Sequence, residues 1–174
     1  MDDLIPFASR EYFFFLALLA VARALDFFST WVATPHLVLE GNPIARRLGW
    51  KWGSLLNAGL CAGFALSPMT AIILSTTSVL VAARNFHSAW LMRAMGESEY
   101  RLLVSDQLAR TGRKLYLFCM YAQALLTAAV GVALVGFGDD RLIPVSIGLG
   151  VVAYGFAVAF FSTLSVWRIR RGGG

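Results

Sequence analysis

Residues 12–34 read YFFFLALLAVARALDFFSTWVAT, with Arg23 and Asp26 set into an otherwise apolar run. Such a stretch is long enough to cross a bilayer, which takes about 20 predominantly apolar residues. Four large side chains in succession, Phe13 to Leu16, leave no polar face for water. A helix that is apolar all round belongs in a large core or in lipid. The whole chain decides between these. Its 174 residues are 58% hydrophobic and 14% charged, against about 45–50% and about 25% in soluble domains. A soluble fold of this size has too much surface to hide that excess, and 13% aromatic content excludes a disordered chain. The bilayer is therefore the solvent, and the fold class read from the sequence is an all-α polytopic transmembrane helical bundle.

Working outward, further spans are expected at about 48–66, 69–95, 115–137 and 142–167, which with 12–34 makes about five. Ser67-Pro68 separates the second from the third, because Pro and the residue before it disfavour a continuing helix. Gly138-Asp139-Asp140 closes the fourth. Residues 97–112 alternate apolar and charged positions at helical spacing, as in a helix lying on the cytoplasmic membrane surface, or else they extend the third span. Residues 1–171 read as a single helical domain and 172–174 as a flexible tail. The acidic start, Asp2-Asp3, is unlike the basic opening of a cleaved signal peptide.

Charge placement fits five spans. The segments 35–51, 93–114 and 168–171 fall on one side and carry eleven Lys and Arg, whereas the other side has only Arg10 and Arg141. Cytoplasmic loops hold the positive excess, so the N-terminus is expected outside and the C-terminus in the cytoplasm of a bacterial inner membrane. The net charge of +5 then reflects topology and gives no reason to expect nucleic acid. Membrane lipids are the expected partners. Small residues at Gly59, Gly63, Gly155 and Ala159 suit close helix packing with a second copy or a membrane-complex partner. Cys61 and Cys119 lie far apart, without metal-ligand spacing.

Ionisable groups inside a span are costly and point to pairing or function. In this orientation Arg23, Asp26, Thr30, Asn57, Arg84, Asn85 and His87 all fall in the cytoplasmic half, with Tyr116, Tyr121, Gln123, Ser162, Thr163 and Ser165. Arg23, Asp26 and Thr30 share a helix face at i, i+3 and i+7. Two readings stay open. The Arg23–Asp26 pair glues helices together, or a cavity open to the cytoplasm is lined by Asp26, Asn85 and His87.

Glu40-Gly41-Asn42-Pro43 follows the first span. Asn-Pro opens turns, and Pro suits a helix's first turn, so one reading is a cap for the next span. The other is a short re-entrant hairpin that dips Leu37, Val38 and Leu39 into the bilayer and aims Glu40 into the cavity. Asp26-x-x-Ser29-Thr30, Thr34-Pro35, Glu40-Gly-Asn42-Pro43 and Leu48-Gly49-Trp50 together resemble a pattern in a family of small bacterial polytopic membrane proteins without established activity. The resemblance covers about Ala24 to Trp50. It implies that Asp26, Thr30, Glu40, Asn42 and Pro43 act as a unit.

Three function classes follow. The first is a cytoplasm-facing intramembrane site for a small ligand, a cation or a lipid headgroup. Here Asp26, Glu40 and His87 are the candidate catalytic groups, while Arg23, Thr30, Asn42, Asn57, Arg84 and Asn85 hold the ligand. A divalent metal on Asp26, Glu40 and His87 would activate water against a lipid-borne substrate, although HExxH and GxSxG signatures are absent from the sequence. The second class is a non-catalytic subunit of a larger membrane complex. The third is an oligomeric proton- or ion-coupled transporter.

Overall fold

The computed structural model describes residues 4–40 and 42–172, with side chains as far as Trp167. Gly41 of the turn, the acidic Asp2-Asp3 and the last two glycines of the tail lie outside the described residues. Six helices make up the described chain: α1 (Arg10–Ala33), α2 (Pro43–Phe64), α3 (Pro68–Met95), α4 (Glu97–Thr111), α5 (Arg113–Gly136) and α6 (Leu142–Gly172). No strand occurs among the described residues.

The boundaries have local causes. Ser9 Oγ accepts from the Tyr12 N–H at 3.1 Å and caps α1. Asn42 Oδ1 accepts from the Ile44 N–H at 2.9 Å, with Pro43 in the first turn of α2. Ser67 caps α3 ahead of Pro68 in the same manner. Gly96 and Gly112, at φ +82° and +83°, set α4 apart from α3 and α5. Glycine takes that left-handed region without a Cβ clash, so residues 97–111 form their own helix and do not prolong α3.

Four helices are long and apolar enough to cross a membrane: α1, α3, α5 and α6 as far as Trp167. Helix α2 is not among them. Its first half carries Arg46, Arg47 and Lys51, and its axis breaks at Gly49, where φ is +64°. Beyond the break, residues 50–64 rise only about 22 Å at 1.5 Å each.

Two tight helix pairs, α1–α3 and α5–α6, are joined along α3–α6, and α2 rests lightly on α1 and α3. Helices α5 and α6 approach backbone to backbone: a Cβ at Gly131 would lie 2.6 Å from the Gly148 carbonyl oxygen, and one at Gly155 would lie 2.9 Å from that of Ala124. Gly155 and Ala159, expected to seat a partner helix, are thus used inside the chain. Gly59 and Gly63 have no atom within 4 Å of a Cβ position. Cys61 is buried while Cys119 is exposed on α5.

Contacts fix the helix directions. Tyr12 Oη donates to the Ala62 carbonyl, and Phe27 lies against Trp50, so α2 runs back along α1. Arg23 meets Ser78 and, further along both helices, Thr30 meets Asn85, so α3 runs parallel to α1. Tyr121 meets Thr163 while Gly131 meets Gly148, so α5 and α6 are antiparallel. The C-terminal ends of α1, α3 and α6 and the N-terminal ends of α2 and α5 therefore gather at one end of the bundle. The half away from it also holds polar groups. Thr77 Oγ1 donates to the carbonyls of Ile73 and Gly150, and the hydroxyls of Ser75 and Ser146 are buried without partners.

Candidate functional site

A polar network lies between α1, α2 and α3 and centres on Arg23. Nη1 of Arg23 donates to Asp26 Oδ2 at 2.8 Å and to Ser78 Oγ at 3.1 Å, and Nε donates to Asn57 Oδ1 at 2.8 Å. One guanidinium fork thereby ties three helices, which its five fixed donors allow. Asn57 Nδ2 in turn donates to the Gly53 carbonyl at 2.8 Å. The Phe27 ring lies 5.9 Å from the guanidinium carbon, within cation–π range.

One turn further along α1, Asn85 Nδ2 donates to Ser29 Oγ at 3.2 Å and Thr30 Oγ1 at 3.1 Å. Ser29 is fully buried, and its hydroxyl donates to the Asp26 carbonyl. The i, i+3, i+7 face of α1 therefore does meet its polar partners. The Asp26 side chain is 16% exposed and that of Arg23 32%. Neither is sealed off.

The chain from Thr34 to Glu40 follows α1, and Asn42 opens α2. Turn hydrogen bonds run from Leu37 N–H to the Thr34 carbonyl and from Glu40 N–H to the Leu37 carbonyl. Leu37 is buried, at φ +57°. Trp50 Nε1 donates to the Pro35 carbonyl at 2.9 Å and ties the segment to α2. Glu40 Oε1 accepts from the Asn42 N–H at 2.7 Å. Asn42 is spent as the cap of α2.

Sequence reasoning missed Glu97, the residue that holds this turn. Its carboxylate accepts from Thr34 Oγ1 at 2.9 Å and from the N–H groups of His36 at 2.9 Å and Val38 at 3.1 Å. His36 Nδ1 adds a contact at 3.3 Å. Burial alone raises the pKa of Glu97, but these hydrogen bonds together outweigh it and hold the group below its ordinary range. The only local signal was an acidic residue in the first turn of α4, which reads as a helix-dipole partner.

The remaining expected site residues lie elsewhere. His87 is exposed on α3 and makes no hydrogen bond or ion pair among the described residues. Arg84 points toward α5, where Nη2 approaches Met120 Sδ at 3.7 Å. Adjacent helix positions are rotated by about 100°, so Asn85 faces α1 while Arg84 does not. Tyr121 and Thr163 pair at 2.7 Å on an exposed α5–α6 face. The expected cluster is thus divided, and Asp26, Glu40 and His87 do not converge. Among the described residues, no group of three or more His, Cys, Asp or Glu could hold a metal ion.

No protein-family model, curated protein or solved structure matches the chain.

Proposed function

We propose that this chain is a five-span protein of a bacterial inner membrane, N-terminus outside, whose α1–α3 network binds a small cation beside the 34–42 turn. The likeness of residues 24–50 to small bacterial polytopic membrane proteins supports the lineage. The antiparallel course of α2 along α1, from Trp50 beside Phe27 to Ala62 beside Tyr12, supports the fifth crossing. The eleven basic residues on one side support the orientation.

One observation carries the ligand reading. Asp26 is held by Arg23 through Oδ2, while Glu40, on the turn that follows α1, is in no ion pair among the described residues. Asp26, Glu40 and Arg23 together sum to one negative charge, with the hydroxyl oxygen of Thr30 one turn along α1. Hard oxygen ligands suit Na⁺, K⁺ or a bound proton; with His87 absent they do not form a three-ligand divalent site. The test is thermal unfolding in detergent across Na⁺, K⁺, Mg²⁺ and a primary amine. The wild type should gain several degrees with one of these, and Asp26→Asn and Glu40→Gln should not. Equal cation response in all three proteins would remove the site.

A second reading rests on a different observation. Arg23 is bonded to Asp26, Asn57 and Ser78, and a polar hub satisfied in this way holds helices together without any ligand. That is the part expected of a non-catalytic membrane subunit. Under it, Asp26→Asn harms assembly before any binding.

A further inference from the structure

Arg84, set in the apolar helix α3, has no neutralising partner among the described residues. Within α3 to Met95, α5 beyond Lys114 and α6 as far as Trp167, Arg84 is the only Arg or Lys apart from Arg93 near the end of α3, and these stretches contain no Asp or Glu. Among the described residues no carboxylate lies within ion-pair distance of Arg84, whereas Arg23 has Asp26. Its Nη1 is buried with no acceptor, and Nη2 finds only the thioether of Met120, a weak acceptor, at 3.7 Å. An uncompensated guanidinium at that depth is costly, and such groups find a partner or a water-filled path.

The packing shows where a partner enters. Helices α3 and α5 each pack along α6 and scarcely touch one another. They leave a groove floored by α6 that Arg84 bridges toward Met120. Arg84 itself is only partly buried. Helix α4 crosses between the ends of α3 and α5, and Arg113 and Lys114 open α5 there. From Arg113 to Met120 is about 10 Å along the helix. An anion is drawn to the basic mouth, and Arg84 is the next donor along the groove. Basic pockets between transmembrane helices on the cytoplasmic side take acidic lipid headgroups, and the planar fork of Arg fits phosphate.

We propose that the α3–α5 groove is a phosphate site, occupied by the headgroup of an acidic phospholipid and anchored by Arg84. It is independent of the Asp26–Glu40 reading, because Arg84 shares no hydrogen bond with that network.

The test is native mass spectrometry of the full chain in micelles carrying equal phosphatidylglycerol and phosphatidylcholine. Three proteins are compared: wild type, Arg84→Met and Arg84→Lys. Met fits a slot already lined by Met120 and removes the unpaired charge, so Arg84→Met should melt no lower than wild type. Wild type should retain phosphatidylglycerol, with about tenfold or greater loss in Arg84→Met and partial retention in Arg84→Lys, which keeps charge without the fork. Inorganic phosphate added at millimolar concentration should leave that retention unchanged. Full displacement by phosphate, with Arg84→Met still losing the lipid, would keep the phosphate site and assign it to a soluble anion. Equal phosphatidylglycerol retention in wild type and Arg84→Met, or no preference over phosphatidylcholine in wild type, would overturn the proposal.

Discussion

Replacing Glu97 by Ala should release the turn that follows α1 without unfolding the bundle. The substitution removes the acceptor of Thr34 Oγ1, the His36 N–H and the Val38 N–H. It also removes the 3.3 Å contact to the His36 ring, which is 84% exposed and contributes little. His36 and Val38 are exposed, so their freed N–H groups regain water and a net loss of about 1 kcal/mol per bond applies; for the hydroxyl of the buried Thr34 that figure is a lower bound. Three bonds then give about 2–3 kcal/mol, or roughly 30- to 150-fold in the opening equilibrium. Amide hydrogen exchange reads this directly: His36 and Val38 should exchange faster by that factor, and the interiors of α1 and α3 should be unaffected. Glu97→Gln, which keeps one acceptor oxygen, should fall about halfway. The pH dependence has a definite sign. The folded pKa of Glu97 lies below the ordinary 4.5, so its contribution is complete above pH 4.5 and is lost as pH falls through the lower folded value. Unchanged exchange at His36 and Val38 in Glu97→Ala would refute the assignment of Glu97 as the group that holds the turn.

Other perturbations probe the packing. Asn57→Leu removes the acceptor of Arg23 Nε and should cost about 2–3 kcal/mol, seen as a lower melting temperature in detergent. Gly131→Ala places a methyl 2.6 Å from the Gly148 carbonyl oxygen, so α5 and α6 must part at about 1–3 kcal/mol. Gly59→Ala meets nothing within 4 Å and should stay within about 0.5 kcal/mol of wild type. A thermal melt of the two glycine variants side by side checks both.

Much of this architecture is legible in local sequence, because lipid imposes long apolar runs and helix termini have short signatures. Ser67-Pro68 and Asn42-Pro43 each mark a helix start that the structure also has. The polar face of α1 is legible for the same reason, since Arg23, Asp26 and Thr30 obey helical spacing and all find partners. What fails is everything that depends on which neighbour a face meets. Arg84 and Asn85 are adjacent in sequence, yet one points toward α5 and the other toward α1. His87 shares the spacing of Arg84 and remains on the exterior. Glu97 reaches the turn across some sixty residues, a pairing that no periodicity encodes. Helix α2 is ambiguous for a compositional reason: Arg46, Arg47 and Lys51 fill its first turns, and the break at Gly49 shortens the apolar part.

Asp26 is proposed as part of a ligand site as well as the partner of Arg23. Native mass spectrometry of the protein released gently from its own membrane, beside Asp26→Asn, separates the two roles. A small bound mass that is present in the wild type and missing from an intact, folded Asp26→Asn protein is the expected result. Identical masses in the two proteins, either bare or with the same stoichiometric partner, would contradict it and leave the network as the bond between three helices.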